Sequence, residues 1–571
     1  MRTLKGLGIS PGFAQGSVYY YENQPVEVIL QVVQDTKAEW ARLEAALQIA
    51  QQQLTNILAI ATESAGAGEG EIFSAHLLIL EDPELLERLQ QEIEGEHHNA
   101  EYAWYQGTEH YANLLANLDD EYLSARCADV RDVAQRVLRI LAGKTQGSSR
   151  LQRPAVVFAE ELTPSDTLTF DRGKVLAFCT AKGGPTSHVA ILSKALGIPA
   201  VTRLDMCEVQ AGDFVIVDGT AGEIILDPDD VTRNEFHARA ERYQQKFTAA
   251  FSRTREPAIT ADGKRIEVVA NIGSVGEASG AVEFGAEGVG LLRTEFLFLD
   301  REIPPDEDEQ VDIYRNILAV FGKQPVVIRT LDIGGDKPAP YLNMQAELNP
   351  FLGVRGTRLG LTHPPVFRTQ LRALLRASPG YNMKIMFPMI ATLAEVRAAY
   401  THLVEVEAEL DAAGIAYDLD VEIGIMVEIP SAAIMADILA PEVDFFSLGT
   451  NDLSQYTLAA DRTNPEVASL ADALDPAVLR LIELVTRAAH AQDRWVGLCG
   501  ELAGDPLAVP VLLGLGVDEF SMNPRAVPFV KEAIRRFSLD KAREISQKVL
   551  QLSTAAEVRE YLEQIPSLEV L

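Results

Sequence analysis

Eight short apolar runs recur through the C-terminal half of the chain, separated by stretches of helical pattern. They constrain the fold more than any other feature. They occupy residues 268–272, 288–292, 326–328, 385–388, 423–427, 445–448, 495–498 and 519–522. Uninterrupted apolar runs of this length suit parallel strands covered on both faces, and eight of them alternating with helices predict a (β/α)8 barrel over residues 261–571. Polar residues fall at the ends of the runs. Arg293 follows the second, Arg329 the third, Glu428 the fifth, Asn451 and Asp452 the sixth, and Cys499 the seventh. The C-terminal rim is the working face of such barrels. Any one of these residues alone is compatible with a satisfied rim group; together they point to a shared site. Glu428 and Asp452 are hard oxygen ligands suited to Mg²⁺. Arg293, Arg329, Arg355 and Arg462 can fork onto phosphate or carboxylate oxygens. The alternative is a rim salt-bridge network, against which stands a surplus of arginines over nearby rim carboxylates.

The N-terminal part has a different texture. Residues 1–22 combine glycine turns with a β-branched and aromatic run, which predicts strands. Residues 23–143 are helical in pattern. Trp40, Leu43, Leu47, Ala50, Leu54 and Ile57 form one apolar stripe, Gly66, Gly68 and Gly70 interrupt it, and further helices end at Gly143. Helices joined by short turns predict a bundle, with a dimerising coiled coil as the alternative. His76, His97, His98 and His110 read as helix-face residues, because no metal-ligand spacing connects them.

Residues 144–151 are a linker by composition, and strand-like runs with one helix follow up to residue 230. That alternation predicts a small α/β domain of residues 1–22 and 144–230, into which the bundle is inserted. Residues 231–260 then read as a helical linker. Within the α/β part lies Gly183-Gly184-Pro185-Thr186-Ser187-His188, where a turn with good helix caps leads into a short helix closed by Gly197 and Pro199. His188 therefore stands at a helix N-terminus, a place that favours an anion. It reads either as a phosphoryl carrier or as a capping histidine in an ordinary junction.

At 571 residues the chain exceeds one ordinary core. A net charge of −33 argues against nucleic acid or an anionic membrane surface as partner. Four cysteines without metal or disulfide spacing, no signal-like N-terminus and no bilayer-length apolar stretch predict a cytoplasmic protein.

The stretch from Gly183 to Val201 resembles the phosphohistidine motif of the phosphoenolpyruvate-utilising enzymes, the family of enzyme I of the bacterial sugar phosphotransferase system, phosphoenolpyruvate synthase and pyruvate phosphate dikinase. Pro185 stands where that motif usually carries arginine. Leu291-Leu292-Arg293-Thr294-Glu295, Arg329-Thr330-Leu331-Asp332-Ile333-Gly334-Gly335-Asp336-Lys337, Asn349 to Arg355, Leu448-Gly449-Thr450-Asn451-Asp452 and Cys499-Gly500-Glu501 resemble the enzyme I branch, over nearly the whole chain. The resemblance implies a phosphohistidine at His188 and a proton-donating acid at Cys499. It implies a phosphoenolpyruvate site at Arg293, Arg329, Arg355, Lys337, Asn451, Asp452 and Arg462, with Mg²⁺ on Glu428 and Asp452. It also implies that the helical insert binds the histidine phosphocarrier protein HPr or a homologue, and that the barrel forms a homodimer. Read from its residues alone, Cys499 is equally a buried, hydrophobe-like cysteine. A dikinase or synthase would need an ATP-binding domain, for which there is no room before residue 150. A silent scaffold should lack some of His188, Glu428, Asp452 and Cys499, and all are present.

Overall fold

All eight C-terminal runs are strands of one closed sheet. The computed structural model describes residues 1–571 except 11, 22–25, 27, 66–75, 117–120, 144–150, 163–169, 172, 184–188, 191–192, 194–196, 207–208, 300, 302, 335–339, 343, 345–346, 463, 465 and 570–571; for 57–65, 114–116, 121–126, 128–129 and 340 it describes the backbone alone. The chain divides into two compact units, Met1–Gln245 and Lys246–Leu571.

In the first unit, β1 (Arg2–Lys5), β2 (Leu7–Ser10) and β3 (Phe13–Tyr21) join β4 (Ala155–Ala159), β5 (Val175–Thr180), β6 (Ala200–Thr202), β7 (Phe214–Asp218) and β8 (Glu223–Leu226) in one mixed sheet. Strand β3 lies between β4, parallel to it, and β7, antiparallel to it. The N-terminal strands thus belong to the same sheet as strands more than a hundred residues later, with the helical segment inserted between them. That segment contains helices Thr36–Ala65, Pro83–Gln90, Ala100–Ala116 and Glu121–Leu141. Leu43, Ala46, Ala50 and Leu54 bury one stripe of the first helix against Leu85, Leu89, Trp104 and Val133. Trp104 is fully buried and donates its indole N–H to Ala134 O at 3.1 Å, which satisfies the one polar atom that burial would otherwise strand. The helix backbone continues past Ile57, whose side chain is not described; Gly66, Gly68 and Gly70 lie outside the described residues.

The histidines of this segment do not all lie on helix faces. His76 is helical but faces the core, fully buried, with Nδ1 3.8 Å from Asp132 Oδ2. His97 and His98 follow a π-turn at Gln91–Gly95, where the chain leaves helical geometry and His97 takes φ 60°. His98 Nδ1 lies 2.7 Å from Glu92 Oε2.

In the second unit, β9 (Ala258–Ile259) forms a hairpin with β10 (Arg265–Ile272). The barrel continues through β11 (Val289–Leu292), β12 (Pro325–Arg329), β13 (Asn382–Phe387), β14 (Glu422–Val427), β15 (Phe445–Leu448), β16 (Trp495–Leu498) and β17 (Glu519–Met522). All eight from β10 to β17 are parallel, and β17 closes on β10. The interior is packed and is not a pore. Leu291, Val327, Met386, Met426 and Phe445 fill it, and Trp495 stacks on Phe445 at 4.4 Å. At the N-terminal end Lys384 pairs with Glu422 at 2.6 Å, and Trp495 donates to the same carboxylate at 3.0 Å.

Glu519 opens β17 at this closed end and is 3% exposed. Burial, reinforced by Glu267, pushes its carboxyl up to about 8, with Lys384 opposing. A carboxyl whose folded pKa is raised holds its proton where the unfolded chain has lost it. Its contribution is therefore complete below the unfolded value and declines as pH rises through about 8. Glu519→Gln is expected to stabilise the chain at pH 8 by about 1–3 kcal/mol and to flatten the pH dependence of thermal unfolding between pH 5 and 8. An unchanged profile would refute this.

Candidate functional site at the barrel rim

Each rim residue is placed by the end of a strand. Arg329 is the last residue of β12, and Arg293, Glu428 and Cys499 directly follow β11, β14 and β16. Asn451 and Asp452 open the helix Thr450–Leu458 after β15. Arg355 arrives from the loop after β12, and Arg462 from beyond that helix, where its N–H donates to Gln455 Oε1 at 3.1 Å.

Arg329 and Arg355 are each only 6% exposed, so their charge requires partners. Arg329 pairs with Glu295 Oε1 and with Asp332 Oδ2, both at 3.0 Å. Arg355 forks onto Asp332 and reaches Asp452 Oδ1 at 3.3 Å. Arg462 Nη2 lies 3.6 Å from Asp452 Oδ2. Burial works against both buried guanidinium charges, yet Glu295, Asp332, Asp452 and Glu428 hold them well above the usual arginine range.

Two charged side chains of this cluster each leave one buried atom without a hydrogen-bond partner. One is a donor, Arg329 Nε; the other is an acceptor, Glu428 Oε2. Such orphans are uncommon in native structures and call for a partner that the protein does not supply, such as a water, an ion or a ligand. The second oxygen of Glu428 accepts from Met389 N–H at 2.6 Å. Met389 takes φ 57°, a strained conformation for a non-glycine residue, and the rim holds it there. Burial, with Asp332 and Asp452 adding to it, pushes the Glu428 carboxyl far above the ordinary range. A cation beside Glu428 would relieve all of this. Among the described residues no three ligating side chains form a metal cage. Two carboxylates, with phosphate and water completing the shell, are what Mg²⁺ ordinarily takes, so Glu428 and Asp452 fit that ion.

Cys499 is 6% exposed, and burial pushes its thiol up to about 11. It is therefore protonated at neutral pH, a state that can give a proton but cannot act as a thiolate nucleophile. Its position is fixed on both sides. Its carbonyl accepts from Asn271 at 2.8 Å, and Asn451 Oδ1 accepts the Glu501 N–H at 3.0 Å.

The structure thus gathers Arg329, Arg355, Asp452, Glu428 and Arg462 in one charged network, with Cys499 and Asn451 on the same rim. Arg293 is exposed and makes no ion pair among the described residues. Lys337 and His188 lie outside them. The helix after His188 is described in part: Val189 and Ala190 are buried in the sheet's core, and Ile198 N–H donates to Ser193 O at 2.9 Å, closing the helix through Gly197 at φ 66°.

Two site residues escape the strand-end pattern, Glu295 and Asp332. They change the charge argument. Counting them, four arginines face four carboxylates, so the expected surplus of cations is absent. The orphaned Arg329 Nε and the unpaired Arg293 carry the case for an anion instead. A signal for both was present in the sequence, since Arg293-Thr294-Glu295 and Arg329-Thr330-Leu331-Asp332 set a carboxylate two and three residues after a rim arginine.

Three family models match successive parts of the chain. Residues 5–126 match the family model for the N-terminal domain of PEP-utilising enzymes, 151–222 the mobile domain and 249–539 the PEP-binding domain. His188 falls in the second span and every rim residue in the third. Phosphoenolpyruvate-protein phosphotransferase of Geobacillus stearothermophilus is 46% identical over 99% of each chain. The protein of the same name from Bacillus subtilis (strain 168) is 45% identical over 98% of each. A multiphosphoryl transfer protein of Rhodobacter capsulatus is 46% identical over 98% of this chain and 67% of its own.

Proposed function

We propose that this chain, which belongs to the family of PEP-utilising enzymes, moves a phosphoryl group from phosphoenolpyruvate to His188 and on to a histidine of a small phosphocarrier protein, HPr or a homologue. The observation that carries the reading is the pair of orphans on one rim, a buried arginine N–H beside a buried carboxylate oxygen. Together they suit a ligand that brings an anion and a cation at once.

In this reading Arg293, Arg329, Arg355, Lys337, Asn451 and Arg462 hold the phosphate and carboxylate of phosphoenolpyruvate. A His188 ring nitrogen attacks phosphorus, the bond from phosphorus to the enol oxygen breaks, and enolpyruvate leaves. The Cys499 S–H gives its proton to the methylene carbon, forming pyruvate, and the thiolate regains a proton from water. Mg²⁺ on Glu428 and Asp452 would neutralise charge on the phosphoryl oxygens. The protein's part is mainly positioning and fixed electrostatics. Because the acceptor serves two partners, the His188 segment must meet the rim and the carrier in turn. Asp230–Ser252, a single helix between the sheet strands and the barrel strands, suits that role. A cytoplasmic location and a homodimer through the barrel belong to the same reading. No described helix is long and apolar enough to cross a membrane, and exposed Ile434, Met435 and Ile438 offer an apolar patch on the barrel.

The test is the stoichiometry of pyruvate release. With Mg²⁺ and no carrier, pyruvate formation should stop after about one equivalent per chain, as a covalent intermediate requires. Adding the carrier protein should make it continuous. Continuous release without any protein acceptor would defeat the proposal. Cys499→Ala is expected to lower kcat about 10²- to 10³-fold with KM little changed, the usual cost of losing a general acid. Undiminished pyruvate formation in that variant would remove Cys499 from the mechanism.

A further inference from the structure

Asp332 is 2% exposed and lies three residues past Arg329. Its Oδ1 accepts from Arg355 Nε at 3.0 Å and its Oδ2 from Arg355 Nη2 at 3.1 Å. The same Oδ2 lies 3.0 Å from Arg329 Nη1. One carboxylate thus grips two buried guanidinium groups. Its own position is tightly built. Its N–H donates to Glu295 Oε1 at 3.2 Å, and that oxygen also accepts from Arg329 Nη2 at 3.0 Å. Gly356 N–H donates to Ile333 O at 3.1 Å, joining the Asp332 segment to the Arg355 segment. Gly356 itself has φ 59°, and a Cβ there would stand 3.1 Å from Asp332 Oδ1 and 2.9 Å from the Met389 side chain. A larger residue would push into the anchor.

With these donors engaged, the arginine N–H left unpartnered is Arg329 Nε, while Arg355 Nη1 is shared with Asp452. We infer that Asp332 is a positioning residue for phosphoenolpyruvate: it fixes the planes of Arg329 and Arg355, so that Arg329 Nε stays open for the substrate and is not drawn onto Glu428. The inference rests on the functional reading above. It makes a prediction opposite in sign to simple electrostatics. If Asp332 were only a charge in the field, removing it would tighten the binding of a trianionic substrate. If it positions the arginines, removing it weakens binding.

The experiment is calorimetric titration of the full-length chain with phosphoenolpyruvate in the presence of Mg²⁺, and of its Asp332→Asn and Glu295→Gln variants. Asp332→Asn is expected to weaken binding about 10- to 100-fold, the range found when the support of a binding group is removed. Glu295→Gln, which frees one contact to Arg329, should weaken it about threefold to tenfold. In an Arg355→Ala background, Asp332→Asn should cost less than it does in the unaltered chain, since only its hold on Arg329 then remains. Binding that is unchanged or tightened in Asp332→Asn would overturn the inference alone. So would an equal loss with and without Arg355. Should Asp332→Asn not fold, unchanged binding in Glu295→Gln would overturn it. Failure of the unaltered chain to bind at all would overturn the functional reading, and the inference with it.

Discussion

Replacing His188 by alanine is expected to abolish stable phosphorylation by phosphoenolpyruvate, with the thermal midpoint of the chain nearly unchanged. Phosphate attached to nitrogen is acid-labile, so the product is distinguishable from a phosphoserine on Thr186-Ser187 chemistry or a phosphoaspartate by its stability profile. In the proposed function His188 is the nucleophile, and in the sequence it directly follows Gly183-Gly184-Pro185-Thr186-Ser187. His76 is fully buried, and His363 and His490 are engaged with Leu342 O and Asp518. The sheet core beside this position is made by its neighbours: Val189, Ala190 and Ile198 pack there with Phe178 and Ala200. Undiminished acid-labile label in the variant would place the acceptor elsewhere.

Glu428→Gln should lower kcat/KM about 10³-fold, as expected when a charged metal ligand becomes neutral, and raise the Mg²⁺ concentration needed for half-maximal rate. Stability should move the other way. The Glu428 carboxylate is 1% exposed and stands in the field of Asp332 and Asp452, so its charge is unfavourable without a cation. Glutamine keeps an oxygen for the Met389 N–H and removes that charge. The melting temperature in the absence of metal should therefore be equal or higher. Lower activity with equal or higher stability separates a ligand site from a salt-bridge network, in which removing one member of a buried set destabilises. A variant that is less stable yet retains its Mg²⁺ response would favour the network.

The strands and the rim were legible because both depend on local pattern. A strand covered on both faces has to be apolar throughout, and a polar residue that ends it stands out, as Arg329, Glu428 and Cys499 do. Glu295 and Asp332 were hidden because they lie in segments that turn back over the rim, through a short 3₁₀ turn at Glu295–Leu297 and through Gly334 at φ 120°. Neighbouring residues in such segments point in directions that no period encodes, so a carboxylate turned inward looks the same in the sequence as one in water. The apparent surplus of arginines arose from that blindness. His97 and His98 were misplaced for a related reason: the helical pattern runs past Gly95, but the backbone does not. The orphaned atoms of Arg329 and Glu428 lie beyond any reading of residue types, since they record which hydrogen bonds the fold leaves unmade.

The most direct test of the central claim is to incubate the full-length chain with phosphoenolpyruvate carrying labelled phosphate, with Mg²⁺ present, and to locate the label by fragmentation. The account predicts acid-labile label on His188 alone, formed together with one equivalent of pyruvate and discharged on adding the carrier protein. Acid-stable label, or label that forms on any residue other than His188, would contradict it.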